Sequence, residues 1–587
     1  MTGGNGRGLG ADWLLAGALA AILTLAWGLR DWAHLSWLIL PDTDDMMRLA
    51  QVRDWLAGQA TNDWTQYRVA PPLGTPMHWS RVADAPLAVL ILLATPVAGR
   101  AGAELFAVIA WPAILFACSL FLTARIARGL WGARVAPIAV VLGAIALPGT
   151  TVFVPGRIDH HALQVVLVEL AVLAAVRRPR LASGAVLGAA VGLSLVIGLE
   201  TAPQLIAVLG VAALAWVVRG GAERVRLAGV AAGLAGVTAP FALFLRPTLW
   251  SAGLCDAFTP ASVFAAIGAS VVLLVLSGAT PRLATWWTRL AGGAVLGAVL
   301  IALVATLYPA CIAGPYGQVD PFLQREFIAH IEEANGILKE TSFARVLQLV
   351  GLMAVGGVVT GWLAWRRPQR WPRWAPLAAA LTCSALLTFA QVRGTYIGTP
   401  LAVPFVAGLV LAARRRGTLA LVGAWLVSAG LFWTSVPPIV AGLMPEQEQA
   451  TSSGHAGGSI RELCNDGPTW AAVDRYPPGV AMASTNVAAY LVGATRWSTV
   501  GAGYHRSDRG NMAMYRFFLG RADAAPARAR AWNVRYVVWC PGDFGELDLA
   551  GRFPDSLAAR LARDEPPPFL HQLPLRGGNL RLYRLVE

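Results

Sequence analysis

Apolar runs of bilayer length recur along three quarters of this 587-residue chain. A helical span needs about 20 mostly apolar residues. Such runs lie at 12–29, 104–124, 135–149, 161–176, 181–199, 202–218, 227–245, 260–278, 290–309, 346–365, 374–392, 395–413 and 418–440. The spacing predicts a polytopic α-helical membrane protein with about 13 transmembrane helices. A fourteenth run, 85–98, is short and carries Pro86 and Pro96, and is read as an interfacial helix. The first run lacks an A-x-A cleavage site and is long enough to span, so it reads as a helix that stays.

Composition agrees. Charged residues make up 14% and hydrophobic residues 56%, against about 25% charged in soluble domains. Soluble, disordered and disulfide-scaffold classes fit poorly. The net charge of +14 raises nucleic acid as a partner, but the placement of the charges argues against it. Lys339 is the sole lysine, and the arginines sit in short clusters between apolar runs.

Those clusters orient the chain through the positive-inside rule. With 85–98 excluded, alternate connections hold Arg125, Arg128, Arg134; Arg177, Arg178, Arg180; Arg219, Arg224, Arg226; Arg282, Arg289; Arg366, Arg367, Arg370, Arg373; and Arg414, Arg415, Arg416. The opposite connections after residue 104 hold only Arg157, Arg246, Arg325, Lys339, Arg345 and Arg393. The expectation is a multi-pass protein of the bacterial inner membrane, with its N-terminus cytoplasmic and its C-terminus periplasmic. Three outer segments exceed what a connection needs: about 31–103, about 310–345, and 441–587. In the last, short apolar stretches such as 479–483, 536–539 and 580–583 alternate with helical ones, which predicts a small periplasmic α/β domain after a catalytic transmembrane domain of 1–440. Cys255, Cys311, Cys464 and Cys540 all fall outside, where Cys255–Cys311 and Cys464–Cys540 bonds are possible.

Ionisable residues collect on the same outer face. Pro41-Asp42-Thr43-Asp44-Asp45-Met46-Met47-Arg48 places three carboxylates just past the first span. They suit a hard divalent cation, although Asp and Thr are also ordinary helix caps. Pro155-Gly156-Arg157-Ile158-Asp159-His160-His161 opens the fourth long run and offers carboxylate and imidazole donors, or a polar turn. A third cluster runs from Asp320 to Asn335 and includes Glu332 and Glu333. Arg393 ends a span, where it can grip a phosphate by paired donors or snorkel to headgroups. Glu200 at the outer end of the fifth run, Asp256 beside Cys255, His78 and Arg81 in the first loop, and His505 and Arg506 in the tail are weaker candidates for substrate contacts.

Taken together, these stretches resemble the C-type (GT-C) glycosyltransferases, and within them the bacterial oligosaccharyltransferase catalytic-subunit family. Arg53-Asp54-Trp55-Leu56-Ala57-Gly58 is similar to that family's first-loop helix end, which puts Asp44 on its metal-binding Asp. Asp159-His160-His161 is similar to its second acidic motif, with His161 in place of the second acid. His330-Ile331-Glu332-Glu333 is similar to its long-loop motif and puts Glu333 on the metal-linked Glu. Arg393, followed by Pro400 and Pro404, resembles the Arg that meets the lipid-linked phosphate. The Trp-Trp-Asp motif that reads the acceptor sequon is absent from 441–587.

The resemblance implies an inverting transfer from a polyprenyl-phosphate or pyrophosphate-linked donor to a glycan, lipid or protein acceptor. It implies Mg²⁺ or Mn²⁺ held by Asp44, Asp159, His161 and Glu333. Asp44 or Asp45 would serve as base, and Arg393 and His160 would contact substrate. The competing readings are a polysaccharide polymerase or O-antigen ligase-type enzyme, which needs no metal, and a membrane transporter. A transporter is expected to carry midplane charges and internal repeats, and neither is visible.

Overall fold

The computed structural model describes residues 4–245, 250, 254–314, 316–317, 319–331, 335–339, 342–442 and 464–586. Among them, nine helices are long and apolar enough to cross a bilayer, and a pair bent by 86° makes a tenth. Three shorter apolar helices bring the count to the thirteen runs read from the sequence. The protein is a polytopic helical membrane protein with a C-terminal sheet domain.

The helices that build the site are α1 (Gly4–Arg30), α2 (Thr43–Leu56), α3 (Arg81–Trp131), α4 (Ala136–Ala144), α5 (His161–Val176), α6 (Leu181–Ile197), α7 (Ala202–Arg219) and α8 (Gly221–Leu243). They are followed by α9 (Pro260–Ala279), α10 (Trp286–Leu307), α11 (Phe343–Arg366), α12 (Trp371–Ala390), α13 (Gly394–Ala413), α14 (Thr418–Ser428) and α15 (Gly430–Gly442). α3 is two arms. Gly99, at φ 67°, turns the chain between them, a conformation glycine adopts without steric cost. The arm before Gly99 buries Leu87, Ala88 and Ile91 against α2 and the tail, while Leu93 and Val97 are exposed. One face of this arm thus packs on protein while apolar side chains on the other are free, an arrangement that suits a helix lying along a membrane interface.

The helical bundle packs through small residues. α6 carries Gly184, Gly188 and Gly192 at four-residue spacing, and α8 carries Gly229 and Gly233. A Cβ on Gly184 would run into the Arg226 carbonyl, and one on Gly188 into the Val230 carbonyl. Small residues let the two backbones touch, which is how helices associate where lipid removes the hydrophobic drive. α13 is the most enclosed span, with 78% of its apolar window buried.

The tail builds one mixed sheet from β3 (Val480–Ala483), β4 (Ser498–Thr499), β5 (Val534–Trp539), β6 (Leu570–Leu573) and β7 (Arg581–Leu585), in the order β4-β3-β5-β7-β6. β3 is parallel to β4 and β5, and β7 is antiparallel to β5 and β6. α16 (Thr485–Ala494) and α17 (Asp508–Leu519) complete it. The first loop extends the sheet. It forms a small hairpin of β1 (Thr65–Gln66) and β2 (Thr75–Pro76), and Val69 then pairs in parallel with Thr499. Arg53 donates to the Gly493 carbonyl at 2.6 Å, and Arg68 to Val492 and Thr495 at 2.8 and 2.9 Å. Met46, Met47 and Leu49 of α2 share one core with Tyr490, Leu491 and Trp497 of the tail. Disulfides join Cys255 to Cys311 and Cys464 to Cys540.

One buried acid makes the tail sensitive to pH. Asp543, 1% exposed, accepts from Ser484 Oγ at 2.6 Å and the Cys540 N–H at 2.9 Å. Burial pushes its carboxyl up to about 7. The native state therefore holds this proton more tightly than the unfolded chain does. The stabilisation is complete below about pH 4 and is lost as pH rises through about 7. The unfolding midpoint is expected to fall by several degrees between pH 5 and pH 9. Asp543→Asn, which keeps an acceptor and carries no charge, is expected to flatten that fall. Thermal unfolding of both proteins across this range checks it, and parallel curves would contradict it.

Candidate active site

α2 begins at Thr43 because Asp42 caps it, accepting from the Asp44 N–H at 3.1 Å. Its first turn then places Asp44 and Asp45 side by side, and its next turn Arg48. The second motif, 155–161, approaches this turn from the start of α5. Asp45 Oδ1 accepts from the N–H groups of Ile158 and Asp159, at 2.7 and 2.9 Å. The two acidic stretches are therefore stapled together through Asp45.

Arg157 is the hub of the acids. It contacts Asp42 Oδ2 at 2.7 Å, Asp159 Oδ2 at 2.6 Å and Asp45 Oδ2 at 3.4 Å. Burial raises the carboxyls of Asp42 and Asp159, but Arg157 outweighs it and both lie below the ordinary range. Asp45 goes the other way. Burial, Asp159 and Asp42 together push it well above that range despite Arg157. One guanidinium thus draws three carboxyl groups together, two held below the ordinary range and the third raised above it.

A second chain of contacts runs behind the cavity wall. Arg48 pairs with Asp84 at 2.6 Å and donates to His160 Nδ1 at 3.2 Å. Arginine has no acceptor, so Nδ1 is the accepting nitrogen. His160 Nε2 then donates to Glu200 Oε1 at 3.1 Å. Gln164 donates to the other oxygen of Glu200 at 2.9 Å. Burial raises the Glu200 carboxyl, but His160, His161 and Gln164 more than offset that and hold it well below the ordinary range. With both ring nitrogens occupied, His160 orients Glu200.

The tail closes the other side. Asp256, from the connection between α8 and α9, is gripped by His505 and by Arg506, whose Nε and Nη2 lie at 2.8 and 2.7 Å. Burial raises Asp256, but the hydrogen bonds from His505 and Arg506 hold it far below the ordinary range. Tyr504 donates to the Thr43 carbonyl at 3.2 Å. Tyr316 meets His505 edge to face, with centroids 5.2 Å apart. Burial, His505 and Arg506 push the imidazolium of His78 well below the usual histidine range.

These elements enclose a cavity of about 330 Å³ at the tail-facing ends of α5, α7, α12 and α13. Asp44, His78, His160, His161, Glu200, Arg393 and His505 all line it. Asp45 and Asp159 lie behind that wall on Arg157. Arg506 holds Asp256 and the Met77 carbonyl. Arg81 stands apart as a brace of the first loop, bonded to Asp84, Gln59 and the carbonyls of Gln51 and Asp63. Glu333 lies outside the described residues, and the stretch before it reaches the cavity through Phe327, Ile328 and Ile331. Sequence reasoning missed Tyr316, Gln164, Gln204 and Tyr396, which also line the cavity. It also missed Arg48, four residues after Asp44. That spacing puts both on one helix face and was the one available signal.

No protein-family model matches the chain, and no curated protein matches it significantly. Solved structures do match in fold. The archaeal oligosaccharyltransferase AglB from Archaeoglobus fulgidus, in complex with an inhibitory peptide and a dolichol-phosphate, superposes with a TM-score of 0.63 at 14% identity. The match covers 90% of this chain and 69% of that one. The Archaeoglobus fulgidus oligosaccharyltransferase in complex with Zn and sulfate gives 0.58 at 14% identity, covering 90% and 67%. The same enzyme tethered to an acceptor peptide containing an NVT sequon gives 0.58 at 16% identity, covering 88% and 70%. The chain has the GT-C, oligosaccharyltransferase-like fold.

Proposed function

We propose that this chain is a membrane glycosyltransferase. It moves a sugar or oligosaccharide from a polyprenyl-phosphate or pyrophosphate-linked donor to an acceptor at the periplasmic face of the inner membrane. The observation that carries this reading is the cavity itself. Acid, imidazole and Arg393 converge where spans meet a folded tail, so a lipid chain can lie along the helices while its phosphate enters. The structural neighbours point the same way, since one was solved with a dolichol-phosphate and another with an acceptor peptide. Two disulfides on the tail-bearing side suit an oxidising compartment.

In this reading the acceptor oxygen or nitrogen attacks the anomeric carbon as the bond from that carbon to the phosphate oxygen breaks. Asp44 takes the acceptor proton. Arg393, at the start of α13, holds the departing phosphate through its paired donors. His160 and Gln164 fix Glu200 as an acceptor for donor hydroxyls. Tyr504 and His505 bring the tail against the substrate, and the tail shuts out water, which would otherwise compete as acceptor.

A divalent cation fits the donor chemistry. Asp44 and His161 open on one cavity, and the acids Asp42, Asp45 and Asp159 share a single guanidinium, which leaves negative charge in excess. Among the described residues no three such side chains close on one point, and Glu333, the expected further ligand, lies outside them. Asp44, His161 and Glu333 would hold Mg²⁺ or Mn²⁺, with Asp159 joining them only by leaving its pair with Arg157. Bound there, the ion would supply Lewis-acid stabilisation of the leaving phosphate.

The test is transfer from a purified lipid-linked donor, with and without chelator. Activity is expected to vanish in excess EDTA and to return with Mg²⁺ or Mn²⁺. Full activity in EDTA would favour the metal-free polymerase or ligase reading.

A further inference from the structure

A second cavity lies at the other ends of the same helices. α5, α7 and α12 meet the active site through His161, Thr201 and Gln391. They finish at Val176, Arg219 and Trp371, around a cavity of about 750 Å³. α5 is 16 residues long, so the two cavities are separated by roughly 24 Å. Seven arginines from three connections and the helix turns beside them line the second one: Arg177, Arg178, Arg180, Arg219, Arg226, Arg370 and Arg373.

The balance of charge there is one-sided. Glu223 pairs with Arg219 at 2.8 Å and with Arg226 at 3.4 Å. Arg226 is 5% exposed and also donates to the carbonyls of Ala175 and Arg177, so it holds the loop in shape. Among the described residues, no acid pairs with Arg177, Arg178, Arg180, Arg370 or Arg373. Topology accounts for arginines on this face. It does not account for three loops gathering them around one concavity.

An apolar crevice of about 670 Å³ opens beside this cavity and shares Arg177, Arg178 and Arg180 with it. Its other walls are Phe121 and Leu122 of α3, Leu170, Leu173 and Ala174 of α5, and Ala182 and Val186 of α6. A charged pocket for a head and an apolar slot for a tail, joined at three arginines, match an amphipathic anion. Basic pockets between spans on this side are suited to lipid phosphates.

We propose that this is a binding site for an anionic phospholipid of the leaflet opposite the active site. Its phosphate groups sit among the arginines and an acyl chain lies along α3, α5 and α6. A lipid bearing two phosphates matches the unpaired charge best.

The test uses the full protein in neutral detergent, with bound lipid read by native mass spectrometry and by lipid-dependent thermal stabilisation. A cardiolipin-type lipid is expected to be retained and to stabilise, and phosphatidylcholine is expected to do neither. Each surface arginine contributes about fivefold to anionic-lipid affinity, so the combined Arg177→Gln, Arg180→Gln, Arg373→Gln variant should bind roughly a hundredfold more weakly. Ala182→Trp blocks the crevice without touching charge and should also weaken lipid binding. It stands as the deciding variant if the triple substitution fails to fold. Inorganic phosphate stabilising as well as the lipid would overturn the proposal in favour of a soluble anion. Preferential retention of polyprenyl phosphate would overturn the assignment to phospholipid. Wild-type lipid affinity in a folded Ala182→Trp protein would overturn it as well.

Discussion

Asp44→Asn is expected to lower glycosyl transfer by about a thousandfold while leaving the protein folded. The estimate follows from the work a positioned general base performs, about 10²- to 10⁴-fold, before any loss of cation binding. Folding should survive because the Asp44 side chain opens on the cavity, and it is the Asp44 backbone N–H that meets the Asp42 cap. The capped turn of α2 remains, as does the Asp45 staple to residues 158 and 159. Initial rates from a purified lipid-linked donor, beside thermal unfolding of the same preparation, read the two effects separately. A folded Asp44→Asn protein with more than a tenth of wild-type activity would remove Asp44 from the chemistry.

Arg393 gives the second large effect. It lines the same cavity where α12 ends and α13 begins. A charge-assisted hydrogen bond to phosphate contributes about 1.5–3 kcal/mol. Arg393→Ala should therefore lower kcat/KM for the lipid-linked donor by roughly tenfold to a hundredfold. Arg393→Lys keeps the charge but loses the planar fork, and should fall between the two. If Arg393 served only to anchor the helix end at lipid headgroups, lysine would do equally well. Equal rates for Arg and Lys would leave the phosphate without its proposed partner.

Much of the fold was legible because a bilayer imposes a one-dimensional rule. Apolar length marks the helices, so the thirteen runs could be read without contacts. The disulfide pairs were legible for a related reason, since the four cysteines outside the spans fall into two regions. The acids of the site were legible as clusters, because charge beside a span is costly without a purpose. What those acids do to one another was not. Arg157 sits two residues before Asp159, yet its pairing with Asp42 spans 115 positions. Asp45 stood in the sequence as a potential base. What the sequence did not carry is its place as a staple, accepting from the N–H groups of residues 158 and 159, 113 and 114 positions away. His160 lines the cavity, and what the sequence did not carry is that its ring nitrogens are set by Arg48 and Glu200, 112 and 40 positions away. Tyr316 carried no local signal, and only the approach of His505 from the tail gives it a place. Long-range pairing decides each of these cases, and residue pattern along the chain carries no record of it.

The central claim is that a lipid-linked phosphate enters the tail-facing cavity. It is tested most directly by a cryo-EM structure of the protein in lipid nanodiscs with polyprenyl phosphate. The expected result is phosphate density within hydrogen-bonding distance of Arg393, on the side of the cavity that Asp44 and His161 line, with the polyprenyl chain running between spans. A headgroup found only in the arginine cavity at the opposite ends of α5, α7 and α12, with nothing beside Arg393, would contradict the account.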